Sequence, residues 1–163
     1  MTVRTERHRH LRGRGDEAAA LVEFALVAIL LFTLLFGIIQ FGLILSFKQD
    51  VTRAAAEGAR AGAVAVPTGS ETFAEAAEAA AITATQEAVE GIGGSFDGVG
   101  CARAGMTCNV QPPAPCLEDA SHLCVTVELV FDYEDNPLFG RMPLVDKFMP
   151  DEVRSVSVAR INE

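Results

Sequence analysis

The chain has 163 residues, is 50% hydrophobic and 7% aromatic, contains no tryptophan and carries a formal net charge of −9. A chain of this length forms at most one ordinary domain. The charge is unevenly distributed, because residues 1–15 contain five arginines and one glutamate, whereas residues 48–163 contain eight basic and eighteen acidic side chains. Binding to nucleic acid requires a cationic surface, so this acidic body argues against a nucleic-acid partner.

A long apolar run follows the basic residues. It extends from Ala18 to Phe47, and its polar side chains are those of Glu23, Thr33, Gln40 and Ser46. About 20 apolar residues span the core of a bilayer, whereas the apolar part of a cleavable signal peptide has only about 7–15 residues. We therefore predict a single helix that spans a membrane in contact with its lipid. Because the arginines precede it, the N-terminus should stay in the cytoplasm and the residues after about 48 should lie outside.

The membrane helix is expected to continue beyond the bilayer. Proline is absent between Asp16 and Pro67, and the sequence after Lys48 is rich in alanine. This pattern predicts a basic leader at 1–15, a transmembrane and extended helix forming one long rod at 16–66, and an exported domain at 67–163. Ala54, Gly58 and Gly62 form a series of small residues that permits close approach of another helix. Alternatively, alanine merely favours the helical conformation here.

The exported part begins with a turn at residues 67–70, and Thr72 followed by Glu75 then forms a capping box. This signal predicts a second, alanine-rich helix over 72–90. Its packing face is predicted from residues at helical spacing, namely Phe73, Ala77, Ala80, Ala84 and Ala88. Residues 91–121 are rich in glycine and proline and are predicted to form a loop.

All four cysteines fall in the exported part, at Cys101, Cys108, Cys116 and Cys124. Close Cys-x-x-Cys pairs of the kind that bind structural zinc are absent from this spacing. An even number of cysteines in an oxidising compartment predicts two disulfides that pin the loop, and three connectivities are open. The alternative is that the cysteines are free and buried.

Two strands are predicted near the C-terminus. From Cys124 to Glu134, apolar side chains at Val125, Val127, Leu129, Phe131 and Tyr133 alternate with polar ones. This alternation predicts an antiparallel sheet that is covered on one face. Residues 136–150 read as a loop. The segment at 153–161 reads as a second strand, and we expect Arg154 and Arg160 to lie opposite Glu128 and Asp132.

Sites for chemistry are hard to find in this sequence. The glycine pattern at residues 13–18 does not follow a strand, as a dinucleotide site requires. His8, His10 and His122 have no neighbouring pattern of serine, cysteine and acid that would indicate nucleophilic catalysis. We therefore assign no catalytic, cofactor-binding or metal-binding residues and expect no enzyme and no cofactor.

Glu23 remains the unusual residue of the apolar run. An acid inside a membrane is costly, so it is by default a functional hypothesis. Glu23 lies only six residues after Glu17, near the expected cytoplasmic edge. There the side chain reaches polar surroundings and the partial positive charge of the helix N-terminus favours an anion. A tolerated interfacial acid is therefore the alternative interpretation.

A resemblance favours the functional interpretation. The segments AAALVEFALV at 18–27, FGIIQFG at 36–42 and AAAEGAR at 54–60, after a basic leader, resemble type IV pilin-like proteins, and most closely the TadE-like family. Its members are minor pilin or pseudopilin components of Tad (Flp) pilus systems. The similarity is specific over roughly residues 14–62 and resumes weakly at 158–161.

The resemblance implies a site at the start of the apolar run. In such proteins a prepilin peptidase cuts four residues ahead of the position that matches Glu23, which places the cut between Ala18 and Ala19. The family usually has glycine where this chain has Ala18. Glu23 and Phe24 would then be the fifth and sixth mature residues, and Glu23 would meet the terminal amine of a neighbouring subunit. Gln40 is a candidate for an interhelical hydrogen bond. An amide that is merely tolerated in the apolar run is an equally good interpretation.

The sequence therefore predicts an α+β, type IV pilin-like protein with one N-terminal transmembrane helix. The resemblance implies a structural role in the assembly of a Tad-type pilus. Other pilin-like subunits, the Tad secretion and assembly machinery and a prepilin peptidase are the expected partners. The first competing hypothesis is a membrane-anchored extracytoplasmic binding module that is not part of a filament. The second is an exported enzyme that the helix anchors.

Overall fold

The computed structural model describes residues 14–92, 100–137, 147 and 149–161. It contains helix α1 (Arg14–Ala63), helix α2 (Phe73–Glu90), a short 3-10 helix (Gly100–Ala102) and strands β1 (Met106–Pro115), β2 (Leu123–Asp132) and β3 (Glu152–Arg160). These helices and strands confirm the predicted α+β class with a long N-terminal helix. The predicted leader and the loop predicted at 136–150 lie largely outside the described residues. The described residues form two compact units, one that ends at Ile39 and one that begins at Gln40.

Helix α1 has 50 residues and ends at Ala63, three residues before the predicted end. Val66 precedes Pro67, and a residue before proline is driven out of the helical region by the proline ring. The chain leaves the helix through hydrogen bonds from Val64 N to Arg60 O and from Ala65 N to Gly62 O. The long helix expected from the absence of proline is therefore confirmed, with a slightly earlier end.

Helix α2 begins at the predicted capping box. The Thr72 hydroxyl accepts a hydrogen bond from Glu75 N at 3.2 Å, and the Glu75 carboxylate accepts one from Thr72 N at 2.7 Å. These bonds satisfy amide groups that have no partner within the helix. The buried face differs from the predicted one, because it consists of Ala76, Ala77, Ala81, Thr85 and Val89. Of the predicted residues, Ala77 is buried and Phe73 is exposed, so the predicted face is about one residue out of helical phase.

The small residues of α1 lie against α2, within the second unit. A Cβ atom added at Gly58 would lie 2.0 Å from Thr85 Oγ1, and one at Gly62 would lie 2.9 Å from the Ala77 carbonyl oxygen. Side chains at these positions would hold the helices apart, so the series is a helix-packing surface. The helix that approaches it is α2 of the same chain.

The three strands form an antiparallel sheet in the order β1-β2-β3. The predicted inward face of β2 is confirmed, since Val125, Val127, Leu129 and Phe131 are fully buried. They form a core with α1, α2 and Val153 of β3. The rings of Phe47 on α1 and Phe131 lie edge to face with centroids 4.7 Å apart. Such a contact adds about 0.5–1.5 kcal/mol to the burial of the two rings.

Strand β1 corrects the prediction of a loop across 91–121. Met106, Cys108 and Val110 alternate inward, opposite Phe131, Leu129 and Val127. The prolines that suggested a loop lie in the last four residues of the strand, around an irregularity between Gln111 and Ala114. Proline lacks an amide hydrogen and is tolerated at such places on an edge strand.

The expected cross-strand pairs of β3 are corrected by its register. Arg154 lies opposite Val130, and Arg160 lies opposite Cys124. Arg154 still forms a salt bridge with Glu128 across the diagonal. Arg160 is at the opposite end of β2 from Asp132, so that predicted pair was wrong.

Both predicted disulfides are present and their connectivity is now defined. The first disulfide joins Cys101 to Cys108, and the second joins Cys116 to Cys124. The first packs against the core, because Cys101 and Cys108 contact the buried cluster. The second closes the turn between β1 and β2, where Cys116 N also donates to His122 O. Each disulfide therefore fixes one end of β1.

Candidate assembly site on the N-terminal helix

The first unit exposes an apolar helix surface. Fourteen large apolar side chains between Leu21 and Ile39 are exposed, from 42% at Phe36 to 71% at Phe24 and Leu30. They occur at nearly every position, so they surround the helix instead of forming a single stripe. The helix is long and apolar enough to cross a membrane by length and composition. A surface of this kind requires lipid or other helices around it.

The polar hydroxyl inside this segment is satisfied by the helix itself. Thr33 donates its hydroxyl hydrogen to the Ile29 carbonyl oxygen at 2.8 Å, one turn earlier. Serine and threonine can hydrogen-bond in this way within a helix, and the bond removes the cost of an unpaired hydroxyl in an apolar medium. Thr33 is thus compatible with lipid.

Glu23 differs from Thr33 in this respect. Its carboxylate is exposed, and no described residue forms a hydrogen bond or ion pair with it. The positions one turn away, at i±3 and i±4, hold only Ala19, Ala20, Leu26 and Val27. A carboxylate in these surroundings has no partner of opposite charge within its own helix. If it enters an apolar environment, a partner of opposite charge has to come from elsewhere.

The predicted processing position lies on the same part of the helix. Ala18 and Ala19 are helical and exposed. Ala19 precedes Glu23 by four residues, and residues at this spacing are neighbours on one face of a helix. A cut between Ala18 and Ala19 would therefore place a new amine on the helix face that carries Glu23. Both groups would then be presented to any helix that packs along this face.

Phe24 and Gln40 complete the set of predicted contact residues. Phe24 follows Glu23 and is 71% exposed, so the surface of α1 offers its ring to a neighbour. Gln40 belongs to the second unit and is only 8% exposed there. Its amide is covered by its own chain, unlike Glu23 and Phe24. Roles in subunit contact stay predictions for all three residues.

The second unit offers surfaces of a different kind. An open groove of about 470 Å³ lies between α1 and α2 and is lined by polar side chains that include Asp50, Arg53, Glu57 and Glu87. Among the described residues, no group of three histidine, cysteine or acidic side chains is arranged to hold a metal ion. Sequence reasoning missed this groove, because it depends on which faces of the two helices meet.

The comparison with known protein families addresses the N-terminal part of the chain. The family model described as TadE-like protein matches residues 18–60. This match confirms the resemblance over a segment that includes Ala18, Glu23, Phe24 and Gln40. No curated protein and no solved structure matches the chain significantly.

Proposed function

We propose that this protein is a minor pilin or pseudopilin that acts in the assembly of a Tad-type pilus. The observation that carries the proposal is that the family match and the exposed apolar segment overlap on α1. The TadE-like match at residues 18–60 covers the segment whose apolar side chains are exposed on all sides and which contains one carboxylate. A helix of this composition serves as a membrane anchor before assembly and as a packing element afterwards.

The size of the apolar surface supports both roles. Fully burying one large apolar side chain contributes about 1.5–3 kcal/mol. Fourteen such side chains are exposed between Leu21 and Ile39, so their transfer from water to lipid or to a helix bundle is worth tens of kcal/mol on that scale. This helix is therefore not stable when it is surrounded by water. Lipid and neighbouring helices offer comparable apolar contact, so a subunit can exchange one for the other.

The charges near the start of α1 set the orientation of the helix in the membrane and the offset between neighbouring subunits. The five arginines of residues 1–15 keep the N-terminus on the cytoplasmic side, so the residues after about 48 lie outside. Cleavage between Ala18 and Ala19 removes those arginines and creates an amine. In an apolar bundle, the Glu23 carboxylate of one subunit pairs with the Ala19 amine of its neighbour. The pair is strongly favoured relative to either charge alone, so it selects a fixed axial offset between subunits.

Substitution of Glu23 tests this role. Glu23→Ala and Glu23→Gln are expected to abolish incorporation of the protein into pili, or piliation itself, while membrane insertion and abundance persist. Glu57→Ala serves as the matched control, because Glu57 is an exposed carboxylate further along the same helix. Pili are counted by electron microscopy and the protein is followed by immunoblotting of membrane and sheared-filament fractions. Normal piliation in both Glu23 variants would refute the assembly role and favour a membrane-anchored binding module.

The processing step needs a separate measurement. N-terminal sequencing of the membrane-extracted protein is expected to start at Ala19. Ala18→Gly is expected to be processed at least as completely, since it restores the usual family residue, whereas Ala18→Leu should block the cut. A mature protein that keeps residues 1–18 in cells that make pili would exclude the proposed amine as the partner of Glu23.

A further inference from the structure

Four charged side chains on the second unit's part of α1 form two rows of opposite sign. The acidic row consists of Asp50 and Glu57, and the basic row consists of Arg53 and Arg60. The members of each row are seven residues apart, which is close to two helical turns, so each row runs along the helix. Each basic residue follows an acidic one by three residues, so the two rows lie about 60° apart around α1.

These four side chains are exposed and have no partner in their own chain. Spacings of three and four residues allow ion pairs along a helix. No ion pair or side-chain hydrogen bond, however, joins any of the four to another described residue. The two guanidinium groups and the two carboxylates are therefore available to a neighbouring molecule.

The acidic row borders the groove between α1 and α2. Glu87 of α2 is exposed and lines the same groove, so the groove carries the three carboxylates of Asp50, Glu57 and Glu87 and the guanidinium group of Arg53. Three alanines complete much of its lining. Such a groove suits long basic side chains, because their methylene groups pack on alanine while their charged ends meet the carboxylates.

A second copy of this chain carries a basic row that matches the groove. Copies anchored through α1 with one orientation in one membrane have parallel helices. A shift of three residues along the axis, about 4.5 Å, places Arg53 of one copy beside Asp50 of the other and Arg60 beside Glu57 at the same time. A shift of four residues in the other direction aligns only Arg53 with Glu57, and a shift of ten residues aligns only Arg60 with Asp50. The three-residue shift is therefore selected by charge.

We propose that the second unit binds a second copy of this chain in this parallel, staggered arrangement, with Arg53 and Arg60 of one copy in the α1–α2 groove of the other. The groove has two more carboxylates than guanidinium groups, and two arginines enter it. Arginine–carboxylate pairs are charge-assisted and can be bidentate, which fixes the offset between the helices. The inference rests on the proposed function for the shared orientation of the copies, but it requires neither cleavage after Ala18 nor pairing of Glu23.

The angle between the rows limits the number of copies. In a triangle of three parallel helices, each helix contacts its two neighbours in directions 60° apart, which is the angle between the acidic and basic rows. Each successive copy is raised by about 4.5 Å, so a fourth copy would lie about 13.5 Å above the first in the same place. The part of α1 from Gln40 to Ala63 is about 36 Å long, so these two copies would overlap. The contact therefore joins at most three copies.

Cysteine cross-linking of the full chain in native membranes tests the stagger. The native cysteines are all in disulfides, so an introduced thiol has no native partner. In the proposed contact, the Cα atoms of Arg60 and of the other copy's Glu57 lie roughly 5 Å apart, which a disulfide spans. Co-expressed Arg60→Cys and Glu57→Cys chains with different tags should therefore give a mixed disulfide-linked dimer.

The matched control replaces Glu57→Cys by Thr52→Cys. Thr52 is also exposed but lies on another face of α1, so this pair should not cross-link. The mixed dimer should also form in the Glu23→Ala background, so that this contact and the proposed role of Glu23 can fail separately. Absence of the mixed dimer, or an equal yield from the control pair, would overturn the proposal.

Charge reversal in the cysteine variants tests the remaining ion pair. Asp50→Arg in the Glu57→Cys chain sets an arginine beside Arg53 of the other copy and should lower the yield of mixed dimer about tenfold. Addition of Arg53→Glu to the Arg60→Cys chain restores opposite charges and should restore the yield. A yield that does not respond to the first change, or does not recover with the second, would contradict the pairing.

The number of copies is tested with a chain that carries both Glu57→Cys and Arg60→Cys. Each copy can then be linked to one copy on either side, so denaturing electrophoresis without reductant should show a ladder that ends at the trimer. A ladder with any other end would overturn the limit of three copies.

Discussion

Replacing Gly58 by alanine is expected to destabilise the second unit, although alanine is the better helix former. The Cβ atom of the new side chain would lie 2.0 Å from Thr85 Oγ1, 3.2 Å from Thr85 Cβ and 3.3 Å from the Ala81 carbonyl oxygen. The first distance is well inside van der Waals contact. Rotation of the hydroxyl alone does not relieve the clash, because the Cβ and backbone atoms of α2 are close as well.

The magnitude follows from two opposing effects. Exchanging glycine for alanine in a helix stabilises it by about 1 kcal/mol. Forcing an additional methyl group into a packed contact costs about 1–3 kcal/mol. Thr85 is 1% exposed and belongs to α2, whose position is fixed by its contacts with the core, so the upper part of that range applies. We expect a net loss of about 2 kcal/mol, which corresponds to about 4–8 °C in the thermal midpoint for a chain of this size.

The assay is thermal unfolding of the detergent-solubilised protein, followed by circular dichroism. Gly42→Ala is the matched control, because Gly42 lies on the same helix and a Cβ atom there has no neighbour within 4 Å. This variant should keep or raise the midpoint. The double variant Gly58→Ala with Thr85→Ala should recover part of the loss, since it removes the hydroxyl at 2.0 Å and leaves the close Cβ and backbone contacts in place. A midpoint for Gly58→Ala equal to that of Gly42→Ala would refute the reasoning about the helix contact.

Two further predictions concern the capping box and the disulfides. Hydrogen bonds from the Thr72 backbone amide and hydroxyl lower the pKa of Glu75, so the stability of α2 that depends on this carboxylate should be present above about pH 4.3 and be lost as the pH falls through the lower folded pKa. Far-UV circular dichroism against pH should show this loss for the native chain and not for Glu75→Gln. Replacing both cysteines of the first disulfide by serine should cost about 2–3 kcal/mol from loop-closure entropy, and more than the same change in the second, because the first also contacts the core. Urea unfolding that ranks them in the opposite order would contradict this.

Several elements were predictable because their signals are local. The capping box of Thr72 and Glu75 is readable from four consecutive residues, and the structure contains both of its hydrogen bonds. The alternation from Val125 to Tyr133 is readable because a half-buried strand imposes a period of two on its side chains. The long helix follows from a proline-free sequence, and proline is the residue that most strongly breaks a helix.

The errors occurred where the outcome depends on a partner segment. Strand β1 was taken as a loop because its prolines are read locally as breakers, whereas their cost vanishes at the outer edge of a sheet. The packing face of α2 was misplaced because alanines occupy most of its surface, so the hydrophobic period is weak. The predicted site residues on α1 differ in how much the sequence shows about them. Ala19 and Glu23 share a helix face by spacing alone, whereas the burial of Gln40 is visible only in the folded second unit.

By itself, the sequence determined the class of this protein, its apolar helix, the unpartnered carboxylate at Glu23 and the presence of two disulfides, since these follow from composition and from residues close together in the chain. The tertiary structure alone decided which cysteines pair, how β3 is registered on β2 and which helix lies against Gly58 and Gly62. The two cysteine pairs are close in sequence, but the sequence pattern leaves three connectivities open. The strand register and the helix contact join segments that are distant in sequence. Their free energies depend on the fit of side chains across a contact, and a linear pattern does not contain that fit.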